Sequence, residues 1–151
     1  MSKRNALVCD VDGTVAKRTE DRPDPYDMTR VKFDMPIWPI VDLANVLVQT
    51  YQLDLIIVTA REDTGRCYRD TGDWLRTYGL DFDEMFMRSR RDYRADEIVK
   101  EEFYLHKIAP HWNVKYVLDD HGPVVDMWRK HGLTCLQVAP GWLREKEDAK
   151  A

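Results

Sequence analysis

The sequence predicts an α/β fold: a doubly wound parallel sheet of about five strands, with helices on both of its faces. Short apolar runs alternate with longer amphipathic stretches along the chain. The apolar runs are continuous, which is typical of strands that are buried on both faces. The longest connection, residues 17–36, is too short for a second folding unit, so no large cap domain is expected.

The first half of the chain supplies two predicted strands and two predicted helices. Residues 6–9 form the first apolar run, and a loop rich in Asp, Arg and Pro follows it. Prolines near Trp38 suit the start of a helix, and the spacing of apolar residues after it continues that helix. The run that ends at Thr59 has the length of a strand, and a second amphipathic stretch closes at Gly79.

The second half repeats the alternation. A short strand ends near Arg88, and the helix that follows is stopped by Pro110. Residues 114–120 form the next predicted strand, and Pro123 suits the first turn of the helix after it. A last strand is expected within residues 134–141.

Length and composition limit the class of protein. With 151 residues, 44% of them hydrophobic and 33% charged, the chain is expected to be one soluble domain, residues 1–151. No apolar run approaches the roughly 18 residues of a membrane helix, and no signal peptide is evident, which predicts a cytoplasmic protein. The net charge of −4 argues modestly against a polyanionic partner, although a local basic surface remains compatible with one.

In Rossmann-like sheets, ligands bind at the carboxyl ends of the strands, where the strand order reverses. The residues directly after the predicted strands should therefore face one crevice. In chain order they are Asp10, Asp12, Thr59, Arg61, Arg88, Asp119 and Asp120. The crevice would hold four carboxylates, one hydroxyl and at least one guanidinium group.

Several close carboxylates need a cation, because two like charges about 4 Å apart repel by roughly 4 kcal/mol near a protein surface. Carboxylate oxygens without His or Cys favour a hard ion, Mg²⁺ before zinc. Thr59, Arg61 and the N–H groups of the Gly13 turn could bind a phosphate held by the same ion. One carboxylate could then attack phosphorus, and a second could move the proton.

Each group also has a purely structural interpretation. An Asp-x-Asp-Gly sequence occurs in Asx turns and calcium loops, but Val15 stands where an EF-hand loop needs glycine. Thr59 could cap a helix, Arg61 could lie at the surface, and Lys100 could share a solvated helix face with Asp96. The functional hypothesis rests on their joint placement at the ends of the strands.

Four motifs carry a family resemblance. "DVDGT", "VTAR", Lys100 and "LDD" resemble, in order, the four motifs of the haloacid dehalogenase-like phosphohydrolase superfamily. Longer segments are similar to the 3′-phosphatase domain of phage-type polynucleotide kinase-phosphatase: "PYD", "VTARED", "DEIVKEEFYLHKIAPHWNVKYVLDD", "VVDMWRKHGLTC" and "QVAPG". The resemblance implies a Mg²⁺-dependent phosphatase that removes terminal 3′-phosphates from DNA or RNA through an aspartyl-phosphate.

The resemblance also implies a role for each matching residue. Asp10 would be the nucleophile, and Asp12 would be the general acid and base. Thr59 would bind a phosphoryl oxygen, and Lys100 would neutralise the charge of the nucleophile and the phosphate. Arg61 would belong with these catalytic groups.

Further positions match the metal and substrate sites of the family. The expected metal ligands are Asp10, Asp119, Asp120 and Asp12, the last through its backbone carbonyl. The positions linked to the substrate are Arg22, Arg88 and Asp96, with Arg18 as an alternative to Arg22. His121 stands where the family pattern has Arg, and Ala60 where Gly is usual.

The resemblance leaves more than one function open. No GxxxxGK[ST] phosphate loop occurs, so the 5′-kinase half of the bifunctional enzyme is expected to be absent. The expected substrates are 3′-phosphorylated nucleic acid ends, with a separate kinase or ligase as a partner class and no membrane partner. Arginines 88, 90, 91 and 94 would form an edge that binds the nucleic acid backbone. The alternatives are a nucleotidase or other small-molecule phosphomonoesterase, and a catalytically silent binding module.

Overall fold

Strands and helices alternate as predicted in the computed structural model, which describes residues 2–140. The strands are β1 (Arg4–Cys9), β2 (Ala16–Lys17), β3 (Met35–Pro36), β4 (Asp54–Glu62), β5 (Glu84–Arg88), β6 (Trp112–Asp119) and β7 (Cys135–Gln137). The α-helices are α1 (Trp38–Tyr51), α2 (Arg66–Thr77), α3 (Asp96–Phe103) and α4 (Gly122–Lys130). A 3₁₀ helix covers Met28–Phe33, and a π-helical turn, Tyr104–Ile108, continues α3. Gly141, the end of the last predicted strand, lies outside the described residues.

The main sheet has five strands in the order β5-β4-β1-β6-β7, and every neighbouring pair is parallel. The chain builds outward from β1 to β5 and then returns to the other side of β1 with β6. The strand order therefore reverses between β1 and β6. The predicted α/β fold is confirmed, and its switch point lies beside the end of β1, where such sheets bind ligands.

Both faces of the sheet are buried, as the continuous apolar runs predicted. Leu7 and Cys9 of β1 pack on one face with residues of α1 and α2. Ala6 and Val8 point to the other face and pack with Trp128 of α4. Because successive side chains of a strand alternate between faces, a strand buried on both sides must be apolar throughout.

The connection between β1 and α1 is more ordered than the sequence suggested. β2 and β3 pair in an antiparallel ladder, and the 3₁₀ helix lies between them. The carboxylate of Asp27 caps that helix by accepting a bond from the Thr29 N–H, and the helix buries Val31. Within residues 2–140 this connection is the longest insertion at the site, and no large cap domain is present.

Two helix starts and one helix end lie where local chemistry predicted, but the helix expected to be stopped by Pro110 ends as an α-helix at Phe103 and continues as a π-helical turn to Ile108. Pro39 lies in the first turn of α1 and Pro123 in that of α4. Gly79 follows α2 with a φ of 85°, a left-handed conformation that glycine adopts without strain. Among the helices of residues 2–140, none combines the length and the apolar character that crossing a bilayer requires.

The double burial of β4 predicts a large stability difference between two isoleucines. Ile57 is fully buried in β4, whereas Ile98 on α3 is 48% exposed. Ile57→Ala should lower the free energy of unfolding by roughly 2–5 kcal/mol, because it removes buried contacts and leaves a cavity. Ile98→Ala should change it by less than about 0.5 kcal/mol. Urea unfolding measures both, and equal losses would contradict the assignment of Ile57 to the core.

Candidate active site

A cavity of about 660 Å³ opens at the carboxyl ends of the strands. Residues at the carboxyl ends of β1, β4, β5 and β6, either the last residues of a strand or those directly after it, contribute to its wall. Of the residues predicted from the sequence, those that line it include Asp10, Asp12, Arg22, Arg61, Arg88, Asp96, Lys100 and Asp120, and Arg18, the alternative to Arg22, lines it too. Asp119 is buried at the end of β6, whereas Thr59 is buried inside β4, because that strand continues past its predicted end at Thr59 to Glu62. The structure therefore brings the predicted groups to one place.

The turn after β1 places the first two acids. The N–H groups of Thr14, Val15 and Ala16 all donate to the carbonyl of Val11, which closes the turn tightly. Gly13 has a φ of 78°, and a Cβ at this position would lie 2.2 Å from Oδ2 of Asp120. Only glycine satisfies both the conformation and the close approach of the acidic turn that follows β6.

Asp10 lies between a lysine and a threonine. Lys100 Nζ donates to Asp10 Oδ1 at 2.7 Å and to Asp119 Oδ2 at 2.9 Å, while Thr14 Oγ1 donates to Asp10 Oδ2 at 2.8 Å. Burial, and then the charge of Asp119, raises the pKa of Asp10 well above its usual value, although Lys100 opposes this. Burial alone would lower the pKa of Lys100, but the charges of the two acids raise it. Lys100 is therefore a permanent cation against the predicted nucleophile.

Three carboxylates form a cluster that could hold a metal ion. Asp10, Asp119 and Asp120 each offer one oxygen, and these oxygens lie within 4.8 Å of one another. Oδ2 of Asp120 is buried without a hydrogen-bond partner in the described part of the chain. Burial and the charge of Asp119 raise the pKa of Asp120. A hard divalent cation fits this all-oxygen site, because it would satisfy the orphaned oxygen and offset the repulsion.

Asp12 has a different electrostatic environment from Asp10. Arg61 donates to it through Nε at 2.9 Å and through Nη2 at 2.8 Å, and Arg22 Nη2 donates at 3.0 Å. Desolvation would raise the pKa of Asp12, but Arg61 and then Arg22 outweigh it and lower that pKa to about 2. In this structure Asp12 is an ionised carboxylate that two guanidinium groups hold.

Asp34 completes the arginine network and was not predicted from the sequence. Arg22 donates to it through Nε at 2.8 Å and Nη2 at 2.7 Å, and Arg61 Nη2 donates at 2.8 Å. Burial raises the pKa of Asp34, although the two arginines oppose this. The only signal in the sequence was an acidic residue among apolar neighbours just before the first helix.

Arg88 and Asp96 organise the wall formed by residues 89–95. Arg88 donates to the carbonyls of Ala60, Asp92 and Arg94, and its Nη2 donates to Asp96 at 2.5 Å. Nearly all of its donors are thus used within the protein. Of the predicted basic edge, Arg88 and Arg94 line the cavity, whereas Arg90 and Arg91 are exposed outside it.

Two residues of the site, Thr14 and Trp128, carried a weaker signal or none, whereas Thr59 and His121 were noted from the sequence. Thr14 lies inside the "DVDGT" motif, but its bond to Asp10 was not predicted. Trp128 Nε1 donates to Asp119 at 3.3 Å, and no local pattern marks that contact. Thr59 was predicted, and its hydroxyl accepts a bond from the Arg61 N–H at 3.2 Å. His121 lines the cavity with its Nδ1 3.7 Å from Asp96 Oδ2.

Comparison with known proteins identifies relatives of this chain. Residues 4–142 match a family model described as the polynucleotide kinase PNKP phosphatase domain. A protein of Autographa californica nuclear polyhedrosis virus that carries the name bifunctional polynucleotide kinase/RNA ligase is 29% identical over 128 residues. A chain in the structure of the Pnkp1/Rnl/Hen1 RNA repair complex is 32% identical, with a TM-score of 0.82. A second structure of the Pnkp1/Rnl/Hen1 complex gives 32% identity and a TM-score of 0.83.

The matches cover most of this chain but less than half of each relative. The viral match covers 82% of this chain and 18% of the viral protein. The two structural matches each cover 91% of this chain, and 43% and 47% of the respective chains. More than half of each relative therefore lies outside the region that matches this chain.

The buried arginine network predicts a large stability loss at Asp34. Asp34→Asn should lower the free energy of unfolding by on the order of 3 kcal/mol, because it leaves two buried guanidinium groups with fewer acceptors. Asp70→Asn is the matched control, since its ion pair with Arg66 is exposed and is worth less than about 1 kcal/mol. Urea unfolding measures both changes, and equal effects would refute a structural role for the network.

The ion pairs of Asp12 predict a pH dependence of stability. Its pKa in the folded protein, about 2, lies below the unfolded value of roughly 3.9. The stability that these ion pairs give the folded protein is therefore fully present above about pH 5. It is lost as the pH falls from about 5 toward the folded pKa of about 2. Unfolding should be measured for wild type and Asp12→Asn at several pH values between about 3 and 6. The wild-type advantage should shrink as the pH falls, and a constant or growing advantage would contradict the ion pairing.

Proposed function

Because the chain belongs to the family of the polynucleotide kinase PNKP phosphatase domain, we propose that it removes terminal 3′-phosphates from nucleic acid ends with Mg²⁺ as cofactor. The arrangement of Asp10 carries the proposal. Lys100 and Thr14 hold its two oxygens, and Asp119 and Asp120 lie beside it in a cavity that reaches the surface. A carboxylate held in this way is oriented for attack on a phosphorus atom.

In the first half of the proposed reaction, a carboxylate oxygen of Asp10 attacks phosphorus and the bond from phosphorus to the 3′-oxygen breaks. The products are an aspartyl-phosphate and a free 3′-hydroxyl. Lys100 offsets the charge that Asp10 and the phosphate bring together. When bound by the carboxylates of Asp10, Asp119 and Asp120 and the backbone carbonyl of Asp12, Mg²⁺ would supply further positive charge.

Asp12 is the group proposed to move the proton. It must deliver a proton to the departing 3′-oxygen and later take one from the water that hydrolyses the aspartyl-phosphate. Its ionised state in this structure suits the second step directly. For the first step it must gain a proton from solvent, which becomes easier once a bound phosphate draws Arg22 and Arg61 away from it.

A polynucleotide substrate is favoured over a small metabolite by the form of the site. Within residues 2–140 no large cap domain encloses the cavity, so an extended chain can leave it. The relatives are named for polynucleotide kinase, RNA ligase and RNA repair, which supports nucleic acid ends as the substrate. A separate kinase or ligase acting on the same ends is the proposed partner class.

The proposed substrate predicts a clear order of rates. Phosphate release should be measured from a 3′-phosphorylated oligonucleotide and from free 3′- and 5′-mononucleotides, each with and without Mg²⁺. The oligonucleotide should have the highest kcat/KM, because it alone has further nucleotides that can contact the surface beyond the terminal nucleotide. Removal of Mg²⁺ should abolish turnover of every substrate. Higher kcat/KM for free mononucleotides would favour the nucleotidase alternative and refute the polynucleotide proposal.

The proposed attack by Asp10 on phosphorus can be tested with one variant and one control. Asp10→Asn should reduce kcat by at least about a thousandfold, because an amide is a poor nucleophile at phosphorus. Asp126→Asn, an exposed acid on α4, should retain wild-type kcat. Thermal unfolding of both variants shows that the fold persists. Wild-type turnover by Asp10→Asn would exclude an aspartyl-phosphate on this residue.

A further inference from the structure

We propose that Tyr26 and Tyr93 form a nucleobase subsite in the same cavity, where their rings stack on bases next to the scissile phosphate. Both tyrosines line the cavity, although they belong to two separate loops. Their exposed fractions are 73% for Tyr26 and 86% for Tyr93. The inference rests on the proposed function and specifies what part of a polynucleotide the site recognises besides its phosphate.

The loop of Tyr93 is held firmly although its tyrosine is exposed. Arg88 bonds to the carbonyls on both sides of Tyr93, those of Asp92 and Arg94. The side chain of Arg94 bonds back to Asp92 and to Glu102, and the Arg91 N–H donates to Glu62. A loop tied at this many points holds the backbone of Tyr93 in one place beside the cavity. Such preorganisation lowers the entropic cost of binding a planar ligand.

Tyr26 lies on a turn that hydrogen bonds also hold. The N–H of Tyr26 donates to the Asp24 carboxylate, and the N–H of Asp27 donates to the Asp24 carbonyl. Arg22 Nη1 donates to the carbonyl of Pro25 at 2.9 Å. The same guanidinium contacts Asp12. Arg22 therefore connects the turn that carries Tyr26 to Asp12, the proposed general acid and base.

The wall near Tyr26 has the chemistry of a base-binding surface. Pro25, Met28 and Ile37 line the cavity with it, and Met28 is anchored against the hydrophobic core. Single exposed tyrosines are common on proteins, but here two share one cavity with an apolar wall and with arginines. Aromatic rings beside cationic groups are the usual means of holding single-stranded nucleic acid without reading its sequence.

The size of the cavity agrees with this assignment. Its volume of about 660 Å³ falls in the range of sites that hold drug-sized ligands, and far exceeds the needs of a phosphate alone. Asp10 lines the same cavity as both tyrosines. A 3′-phosphate at Asp10 would therefore bring the attached sugar and base into the space that the tyrosines border.

The test uses substrates with and without bases. One is a 3′-phosphorylated oligonucleotide, the second is the same oligonucleotide without its last two bases, and the third is glycerol phosphate. The wild-type KM for the complete oligonucleotide (the first substrate) should be at least about tenfold below the KM for the oligonucleotide that lacks its last two bases (the second substrate). Tyr26→Ala and Tyr93→Ala should each raise the KM of the first substrate by on the order of tenfold, and leave the KM of the second unchanged. Neither should alter kcat for glycerol phosphate.

Control variants separate stacking from other effects. Tyr26→Phe and Tyr93→Phe retain the ring and should keep the wild-type KM values. Tyr51→Ala removes an exposed tyrosine that lines a different pocket and should change nothing. Equal wild-type KM values for the base-bearing and base-free ends would overturn the subsite, as would alanine variants that raise both equally. A wild-type preference for glycerol phosphate would instead refute the proposed function.

Discussion

The ion pair between Lys100 and two buried acids is the interaction on which the site depends. Charges in the interior are tolerated only when they are paired and hydrogen-bonded. Lys100 comes from α3, Asp10 follows β1 and Asp119 ends β6, so one ammonium group links a helix to both strands at the switch point. The position of α3 and the separation of the two acidic turns are therefore set by the same charge balance.

A second set of buried charges gives two neighbouring acids different pKa values. Asp10 and Asp12 are two residues apart, yet the pKa of Asp10 is raised, mainly by burial, and that of Asp12 is lowered by Arg61 and Arg22. Environments that push paired acids in opposite directions are a common basis for dividing chemical roles. Asp34 maintains this difference in pKa, because it accepts hydrogen bonds from the same two arginines that bind Asp12 and keeps them in place.

Much of this arrangement could be predicted from the sequence. The contacts that could not be predicted join residues that are far apart in the sequence. The apolar runs predicted the parallel sheet, and its switch point then placed Asp10 and Asp120 at one cavity, whereas Lys100 on α3 was predicted from the family resemblance alone. Asp34 could not be predicted, because its partners Arg22 and Arg61 lie 12 and 27 residues away and no periodicity connects them. The same holds for Trp128 and Asp119, which meet only after α4 packs on the sheet.

The close approach of Gly13 to Asp120 makes the residue at position 13 depend on a distant part of the chain. A side chain at position 13 collides with a carboxylate that lies more than a hundred residues further along. A larger residue at position 13 therefore clashes for as long as Asp120 is in place, whereas a smaller residue at position 120 would not itself clash with Gly13. Neutral drift at position 13 is thus confined by a residue on another acidic turn, in addition to the φ of 78° that by itself favours glycine.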